Sequence, residues 1–394
     1  MSLTGETLST FDPARPTPAV MIVGVGVVGQ AIAADHLRVG IPVWLVDRDS
    51  AALQAACDRL VHHHNGVWIN ACPWGARIDL PVTAILPNNH PAVRDETVPI
   101  LSEPEPVWLV IESIAEQLEI KQAFFRDAAT WFGRQPFLTT NTSTLSIEKI
   151  ASAMKTPSRL TGLHFFMPVV GRDAAEVIPH AETDADVITA CHHHLGRLGK
   201  TPLDVGDGPG FVVNRMLAPY LNLSLWFVCG GVSRERLREA ALAYGMPMSP
   251  LELIELISPQ TAFDGGRVVW QAFPERLNPS PLLPAMVKLM RRGNAYPDGN
   301  QWNELVLRYR HHELQHDDAA SLASMMATTM RIESSRIIDS GIADAVTINA
   351  AMAGGLGWRD PDRSNRKWSE VCDQITQTRW AQRYPDRPEL ASNR

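Results

Sequence analysis

Two polar side chains stand where apolar segments of the chain end. His164 lies in the apolar segment 161–168, and Ser143 follows the predicted strand 137–140. Ligands of open α/β sheets bind at the carboxyl ends of the strands, so both side chains are candidates for a site. An imidazole has an ordinary pKa of about 6.5 and can exchange protons near neutral pH. A histidine beside two phenylalanines is more often a core residue, and the residues alone leave both roles open.

A glycine-rich turn near the start of the chain is typical of a dinucleotide site. The apolar run 19–24 predicts a buried strand, which leads through Gly24, Gly26 and Gly29 into a segment with helical spacing. The first glycine permits a tight turn, the second lets backbone N–H groups approach a pyrophosphate, and the third lets the helix pack on the strand. The positive end of the helix faces the phosphates. Strand, turn and helix together predict a Rossmann site.

A carboxylate follows the next apolar run. Residues 42–46 predict a second strand that ends at Asp47. An acid at this distance from the glycines can bind the ribose 2′-hydroxyl and repels a 2′-phosphate. The sequence therefore favours NAD over NADP, although the neighbouring Arg48 reduces the preference.

Composition limits the class of protein. The chain has 394 residues, 45% of them hydrophobic, and a formal net charge of −7. This length predicts two or three domains with their own cores. The negative charge argues against nucleic acid or an anionic membrane as a partner, and no apolar run reaches the roughly 18 residues of a membrane span. Five cysteines without a C-x-x-C pair favour reduced thiols and a cytoplasmic location.

The histidine runs do not predict a metal site. Residues 62–64 and 192–194 are each three consecutive histidines. Consecutive side chains on a helix point in different directions, and no pair has the spacing of metal ligands.

A set of motifs in the middle of the chain carries a resemblance to a known family. The motifs are 112–116 with Lys121, 141–143, 162–168, Glu176 and 209–215. In order and spacing, from residue 19 to about 360, the chain resembles the 3-hydroxyacyl-CoA dehydrogenase family.

The resemblance implies roles for individual residues. His164 would be the catalytic base, Glu176 would hold and polarise its imidazole, and Ser143 and Asn214 would bind the substrate's 3-oxygen. Such a base contributes about 10²-fold to 10⁴-fold in rate. The implied cofactor is NAD, and the implied cofactor-binding residues are Gly24, Gly26, Val27, Val28, Gly29, Asp47, Glu116, Lys121, Asn141 and Ser143.

The resemblance also implies the domain organisation. An α/β Rossmann domain over 19–205 would be followed by an all-α C-terminal region of the 6-phosphogluconate-dehydrogenase-like type. Residues 206–300 would form its first helical domain and 301–394 a degenerate second copy, while 1–18 predict a flexible arm. An internal copy could stand in for a partner subunit, which slightly favours a monomer over a homodimer.

The chain departs from the family at two places. Met167 stands where the family has Asn, so a hydrogen-bonding amide is replaced by a thioether. Between residues 51 and 101 there is neither the lysine nor the serine that the family uses to hold CoA, and His63 and Asn70 stand at those positions. A further family segment that carries a lysine is replaced by residues 293–299.

Several functions remain open after these departures. The first is an NAD-dependent dehydrogenase acting on a 3-hydroxyacyl thioester, with the acyl group on CoA or on a carrier protein. A free hydroxy acid in specialised biosynthesis is a variant of it. The other is a non-catalytic NAD-binding scaffold, which would have no need for His164, Glu176, Ser143 and Asn214 together.

Overall fold

The computed structural model describes residues 19–63, 107–132, 136–274, 279–290, 299–310 and 317–359. Outside the described residues lie the predicted arm 1–18, the side chain of His63, Asn70, the segment 293–298 and the end of the predicted second helical copy, residues 360–394.

The N-terminal half forms a mixed, mostly parallel sheet. Its seven described strands are β1 (Ala19–Val23), β2 (Val43–Val46), β3 (Val107–Glu112), β4 (Phe137–Thr140), β5 (Leu160–Phe165), β6 (Ala174–Ile178) and β7 (Thr201–Asp204). Their order across the sheet is β2-β1-β3-β4-β5-β6-β7. The first five strands run parallel, β6 runs antiparallel to β5, and β7 runs parallel to β6. Continuous apolar runs such as β1, buried at all five positions, are typical of strands covered on both faces.

Helices cover the sheet and form the described part of the C-terminal region. Those associated with the sheet are α1 (Val27–Arg38), α2 (Ser50–His63), α3 (Leu118–Phe132), α4 (Ile147–Ala151) and α5 (Ala185–Arg197). The remaining described helices are α6 (Val213–Cys229), α7 (Arg234–Ala243), α8 (Pro250–Ile257), α9 (Pro259–Ala272), α10 (Leu282–Met290), α11 (Gly299–Arg308), α12 (Ala319–Asp339) and α13 (Ala345–Leu356). The predicted fold class, a Rossmann domain followed by helices, is confirmed.

Helix α6 is the centre of the helical region. Its apolar sequence is buried on nearly all sides, as expected of a helix inside a core. Helices α7, α8, α9 and α12 pack around it or against one another.

The stretch α12–α13 repeats the layout of α6–α7. In each, a long helix ends near a glycine with positive φ, 92° at Gly231 and 68° at Gly341. A polar N-cap, Ser233 or Asp344, then begins a shorter helix. The division of the helical region into two copies stays a prediction, and this shared layout is what supports it.

None of the helices in the described ranges has the combination of length and apolar character that a bilayer span requires.

Candidate active site

The imidazole of His164 and the carboxylate of Glu176 face each other across two strands. The residues are direct neighbours in the antiparallel β5–β6 pair. His164 Nδ1 lies 2.7 Å from Glu176 Oε2, and the two side chains are 6% and 0% exposed. Because a carboxylate accepts the Nδ1 proton, Nε2 of the neutral ring is left as an acceptor. The pair thus fixes both the orientation of the ring and the nitrogen that can take up a proton.

The second oxygen of Glu176 binds the start of α6. The backbone N–H groups of Val212 and Val213 each donate to Oε1 over 3.0 Å. Phe211, just before them, has a φ of 51°, which is uncommon for a residue with a bulky side chain. Its ring lies 5.9 Å from that of His164. The turn therefore places two backbone donors against the Glu176 carboxylate and the apolar Phe211 ring beside the His164 imidazole.

Ser143 lies on the open side of the imidazole. Its Oγ is 3.1 Å from His164 Nε2, and its carbonyl oxygen accepts a hydrogen bond of 3.0 Å from Asn214 Nδ2. Asn141 Oδ1 accepts from the backbone N–H of Phe165 over 2.8 Å, which joins the loop after β4 to the end of β5. The structure thus brings the four proposed catalytic residues and Asn141 together.

Glu116 holds the loop that carries Ser143. Its Oε1 accepts from the backbone N–H groups of Ser143 and Thr144, over 2.9 and 3.1 Å. The hydroxyls of Thr142 and Thr144 donate to the same oxygen over 2.7 and 2.9 Å. Burial raises the pKa of Glu116, but the charge of Lys121 and these hydrogen bonds outweigh it and hold the pKa below its ordinary value. An ionised Glu116 therefore fixes the loop.

Lys121 lies beneath the same loop. Its side chain is 1% exposed and Nζ lies 2.6 Å from Glu112 Oε1 and 3.4 Å from Glu116 Oε2. Glu112 Oε2 accepts from the Thr140 hydroxyl over 2.6 Å. Burial raises the pKa of Glu112, against the opposing effect of Lys121 and the hydrogen bonds. The ammonium group stabilises the loop through its ion pair with Glu116. Its role toward the cofactor stays a prediction.

The glycine turn has the shape that a dinucleotide needs. Gly24 has a φ of 101°, and a Cβ at Gly29 would lie 1.9 Å from the Gly24 carbonyl oxygen. No described atom lies within 4 Å of a Cβ placed at Gly26. Gly26 is the N-cap of α1, and no described side chain caps the helix there. The first N–H groups of α1 therefore have an open space before them, which fits a pyrophosphate.

Valines border this opening. Val27 is 76% exposed although it is apolar, whereas Val28 is partly buried against the core of the sheet. The exposed side chain stands at the first helical position after Gly26, where a dinucleotide would cover it.

Asp47 ties the two first strands together at the same edge. Its Oδ2 accepts from the backbone N–H of Val25 over 2.8 Å and its Oδ1 from that of Asp49 over 3.0 Å. Each carboxylate oxygen has a further lone pair for a ribose hydroxyl. The position and chemistry of Asp47 fit the ribose contact that the sequence predicts.

Sequence reasoning missed the donors that complete the site. Thr142 and Thr144 bind Glu116, and the backbone of Val212 and Val213 binds Glu176. The two threonines flanking Ser143 could have been predicted as donors, because their hydroxyl groups can donate hydrogen bonds to a nearby carboxylate. Backbone donors cannot be predicted in this way, since nearly every residue has an N–H group. Among the described residues, no group of three or more histidine, cysteine or acidic side chains could hold a metal ion.

Comparison with known families agrees with this geometry. Residues 99–208 match the family model described as 3-hydroxyacyl-CoA dehydrogenase, NAD binding domain, and residues 210–301 match the one described as 3-hydroxyacyl-CoA dehydrogenase, C-terminal domain. The chain belongs to the 3-hydroxyacyl-CoA dehydrogenase family. The glycine turn precedes the matched residues but belongs to the same sheet, since β1 pairs with β3. An NAD-binding domain of this family confirms the predicted cofactor.

Curated relatives are longer than this chain. The fatty acid oxidation complex subunit alpha of Pseudomonas syringae pv. tomato is 29% identical over 264 residues, which cover 67% of this chain and 35% of the relative. The chain therefore spans about a third of the length of the curated relatives it matches.

Solved structures share the fold. The 3-hydroxybutyryl-CoA dehydrogenase of Escherichia coli K12 has a TM-score of 0.65 at 23% identity, over 87% of this chain and 90% of that one. The dehydrogenase part of multifunctional enzyme 1 from C. elegans has a TM-score of 0.60 at 20% identity, over 96% of this chain and 88% of that one.

Proposed function

We propose that the chain is an NAD-dependent oxidoreductase that interconverts a 3-hydroxyacyl and a 3-oxoacyl thioester. The observation that carries the proposal is the chain of contacts Glu176–His164–Ser143. It holds His164 with Nδ1 on a buried carboxylate at 2.7 Å and with Nε2 toward Ser143 at 3.1 Å. This arrangement prepares one nitrogen to accept the proton of a substrate hydroxyl.

His164 moves the proton of the reaction. In the oxidative direction Nε2 takes the hydroxyl proton, and Glu176 stabilises the imidazolium that forms. In the reductive direction the same Nε2–H returns the proton to the 3-oxygen. The turn through Gly24, Gly26 and Gly29 would hold NAD, which would supply the hydride acceptor for oxidation or, as NADH, the hydride donor for reduction.

Ser143 and Asn214 would stabilise charge on the 3-oxygen. The Ser143 hydroxyl already lies within hydrogen-bond distance of Nε2. Asn214 uses one N–H of its amide for the Ser143 carbonyl, and its second N–H is left for the substrate. Donors aimed at the oxygen where charge develops lower the barrier directly.

The thioester's tether is the finer part of the proposal. CoA is the tether that the family name gives, while the absence of lysine and serine between residues 51 and 101 favours a carrier protein. CoA carries phosphate charges that cationic anchors would bind, whereas a carrier protein supplies its own docking contacts.

The test follows NADH absorbance with acetoacetyl groups on CoA, on an acyl carrier protein and on pantetheine. We expect turnover with at least one of them. His164→Ala should abolish it and leave NADH binding intact, and His193→Ala, at an exposed position, should change neither. Turnover that survives His164→Ala would contradict the mechanism. Tight NADH binding without turnover on any thioester would favour a free hydroxy acid or the scaffold.

We also propose a cytoplasmic monomer. The described cysteines, Cys57, Cys191 and Cys229, are buried free thiols. Burial raises the pKa of Cys57 and of Cys191 to about 12, so both are thiols of low reactivity. Packing of α12 on α6 and α7 supports the monomer. Light scattering on the purified chain would detect a homodimer instead.

A further inference from the structure

Two glycines at the end of α13 bring this helix into direct contact with the catalytic strands. A Cβ at Gly354 would lie 2.6 Å from the Cβ of Ala174, the first residue of β6. A Cβ at Gly355 would lie 3.0 Å from Val213 Cγ2 and 3.1 Å from Phe166 Cδ2. Helix α13 can therefore approach β6, Val213 and Phe166 this closely only because neither position carries a side chain.

The residues that Gly355 touches support both members of the catalytic pair. The Phe166 ring packs edge-on against the His164 ring, with centroids 5.3 Å apart and an interplanar angle of 85°. The backbone N–H of Val213 donates to Glu176 Oε1 over 3.0 Å. A displacement of Phe166 or Val213 would consequently reach the imidazole on one side and its carboxylate on the other.

A second contact fixes the start of the same segment. The Gly206 N–H donates to the Ile342 carbonyl oxygen over 2.7 Å, and a Cβ at Gly208 would lie 2.5 Å from Ile342 Cδ1. Residues 206–208 lie between β7 and α6, so the turn before α13 binds the connection that leads to Val213. The segment α12–α13 thus contacts both the catalytic strands and the connection that leads to α6.

We propose that Gly355 is a positioning residue for the His164–Glu176 pair, and that α12–α13 completes the active site from outside the first helical domain. This inference rests on the proposed dehydrogenase function. Any side chain at position 355 must push Val213 and Phe166 aside by a few tenths of an ångström or more. Proton transfer needs the reacting groups held to within about 0.5 Å, so a shift of that size reaches the chemistry.

The test compares Gly355→Ala with the wild-type chain. We expect kcat to fall about tenfold to a hundredfold while the affinity for NADH is unchanged, because the glycine turn lies on β1 and α1. In the reductive assay His164 acts as the acid, so the basic limb of the pH profile of kcat/KM reports the imidazole. This limb should move to lower pH, since the imidazole loses part of its contact with the carboxylate that stabilises its protonated form. A purely structural role of Gly355 would not move that limb.

Matched variants separate positioning from general destabilisation. Adding Val213→Ala to Gly355→Ala removes the methyl group that the new Cβ meets and should recover part of kcat. Gly265→Ala in α9, where no described atom lies within 4 Å of the added Cβ, should leave kcat and the pH profile unchanged. Ile342→Ala introduces no clash, loosens the anchor at residues 206–208 and should lower kcat in the same way if Gly355→Ala does not fold.

The outcomes distinguish this inference from the function on which it rests. A wild-type chain without turnover on any thioester overturns both. The positioning role alone is overturned if the wild-type chain turns over and Gly355→Ala equals it in kcat and pH profile. If Gly355→Ala does not fold, the same comparison is made with Ile342→Ala.

Discussion

Arg215 on α6 and Glu333 on α12 form a buried ion pair although they are 118 residues apart in the sequence. Arg215 Nε lies 2.7 Å from Glu333 Oε1, and the side chains are 2% and 3% exposed. The guanidinium also donates to Ser340 Oγ over 3.3 Å and lies 4.8 Å from the centre of the Phe273 ring. The pair tethers α12 to the helix whose first turn carries Asn214.

Breaking this pair should destabilise the fold asymmetrically. Glu333→Leu leaves the buried Arg215 without its carboxylate, and we expect the free energy of unfolding to fall by about 3–5 kcal/mol. Arg215→Met should cost less, because Arg336 Nη1 lies 3.5 Å from Glu333 Oε2 and still compensates that charge. Urea-induced unfolding measures both losses.

The double variant and a surface pair serve as controls. Arg215→Met with Glu333→Leu removes both charges and should recover much of the stability. Glu239→Leu breaks the exposed Arg236–Glu239 pair, 48% and 58% exposed, and should cost about 0–1 kcal/mol. Equal losses for the two single buried variants would contradict the asymmetry.

Glu176→Gln should abolish turnover and leave NADH binding intact. The amide can accept from the N–H groups of Val212 and Val213 only if its NH₂ faces His164 Nδ1, which then becomes the acceptor. The ring proton moves to Nε2, where it blocks uptake of the substrate proton. We expect kcat for oxidation to fall about 10²-fold to 10⁴-fold, with NADH affinity measured by fluorescence unchanged.

The same chemical change at the surface is the control. Asp204 lies 2.6 Å from His192, and these side chains are 63% and 35% exposed. Asp204→Asn should leave kcat at the wild-type value. Full activity of Glu176→Gln would show that the buried carboxylate does not set the tautomer.

Local constraints made the cofactor end of the fold predictable. The backbone contacts at Gly24 and Gly29 exclude any side chain at these two positions. The contact between Asp47 and Val25 is local, because β1 and β2 are neighbouring strands and end at the same edge of the sheet. The pairing of His164 with Glu176 was predicted from the family resemblance. It depends on β6 running antiparallel to β5, and short apolar strands carry no sign of their direction.

Contacts between distant segments were not predictable. The family resemblance implied a cofactor contact for Lys121, which stays a prediction. Its buried pairing with Glu112, with Nζ 2.6 Å from Oε1, was not predicted, because this burial depends on how α3 packs. The approach of Gly355 to Phe166 joins residues 189 positions apart (355 − 166 = 189). A glycine in a helix is also explained by a helix end, so its role becomes visible only with the packing.

Two glycines of the cofactor turn should separate stability from NADH binding. Gly29→Ala places a Cβ 1.9 Å from the Gly24 carbonyl oxygen and should lower both the melting temperature and NADH affinity. Gly26→Ala meets no described atom within 4 Å, and its φ of −63° suits alanine. We therefore expect an unchanged melting temperature and NADH binding weakened at least about tenfold, where the Cβ meets the pyrophosphate. Wild-type NADH affinity in Gly26→Ala would contradict this placement.

A buried pair of histidines joins α1 to α5. His36 Nε2 lies 2.8 Å from His194 Nε2, and His36 Nδ1 lies 2.7 Å from the Ile32 carbonyl oxygen. Because a carbonyl only accepts, His36 carries its proton on Nδ1 and His194 donates from Nε2. Both rings are neutral. Burial lowers the pKa of His36 to about 4 and holds the pKa of His194 well below its ordinary value.

These histidines should make the fold sensitive to mild acid. Between about pH 6.5 and pH 4 the unfolded chain binds protons on both rings that the folded chain does not, so stability falls as pH falls. For His36 alone, the loss on going from pH 7 to pH 5 is about 2 kcal/mol. The double variant His36→Gln/His194→Gln should flatten the dependence measured by urea unfolding over this range. His193→Gln, at an exposed position, should retain the wild-type slope, and a steep slope in the double variant would place the acid sensitivity elsewhere.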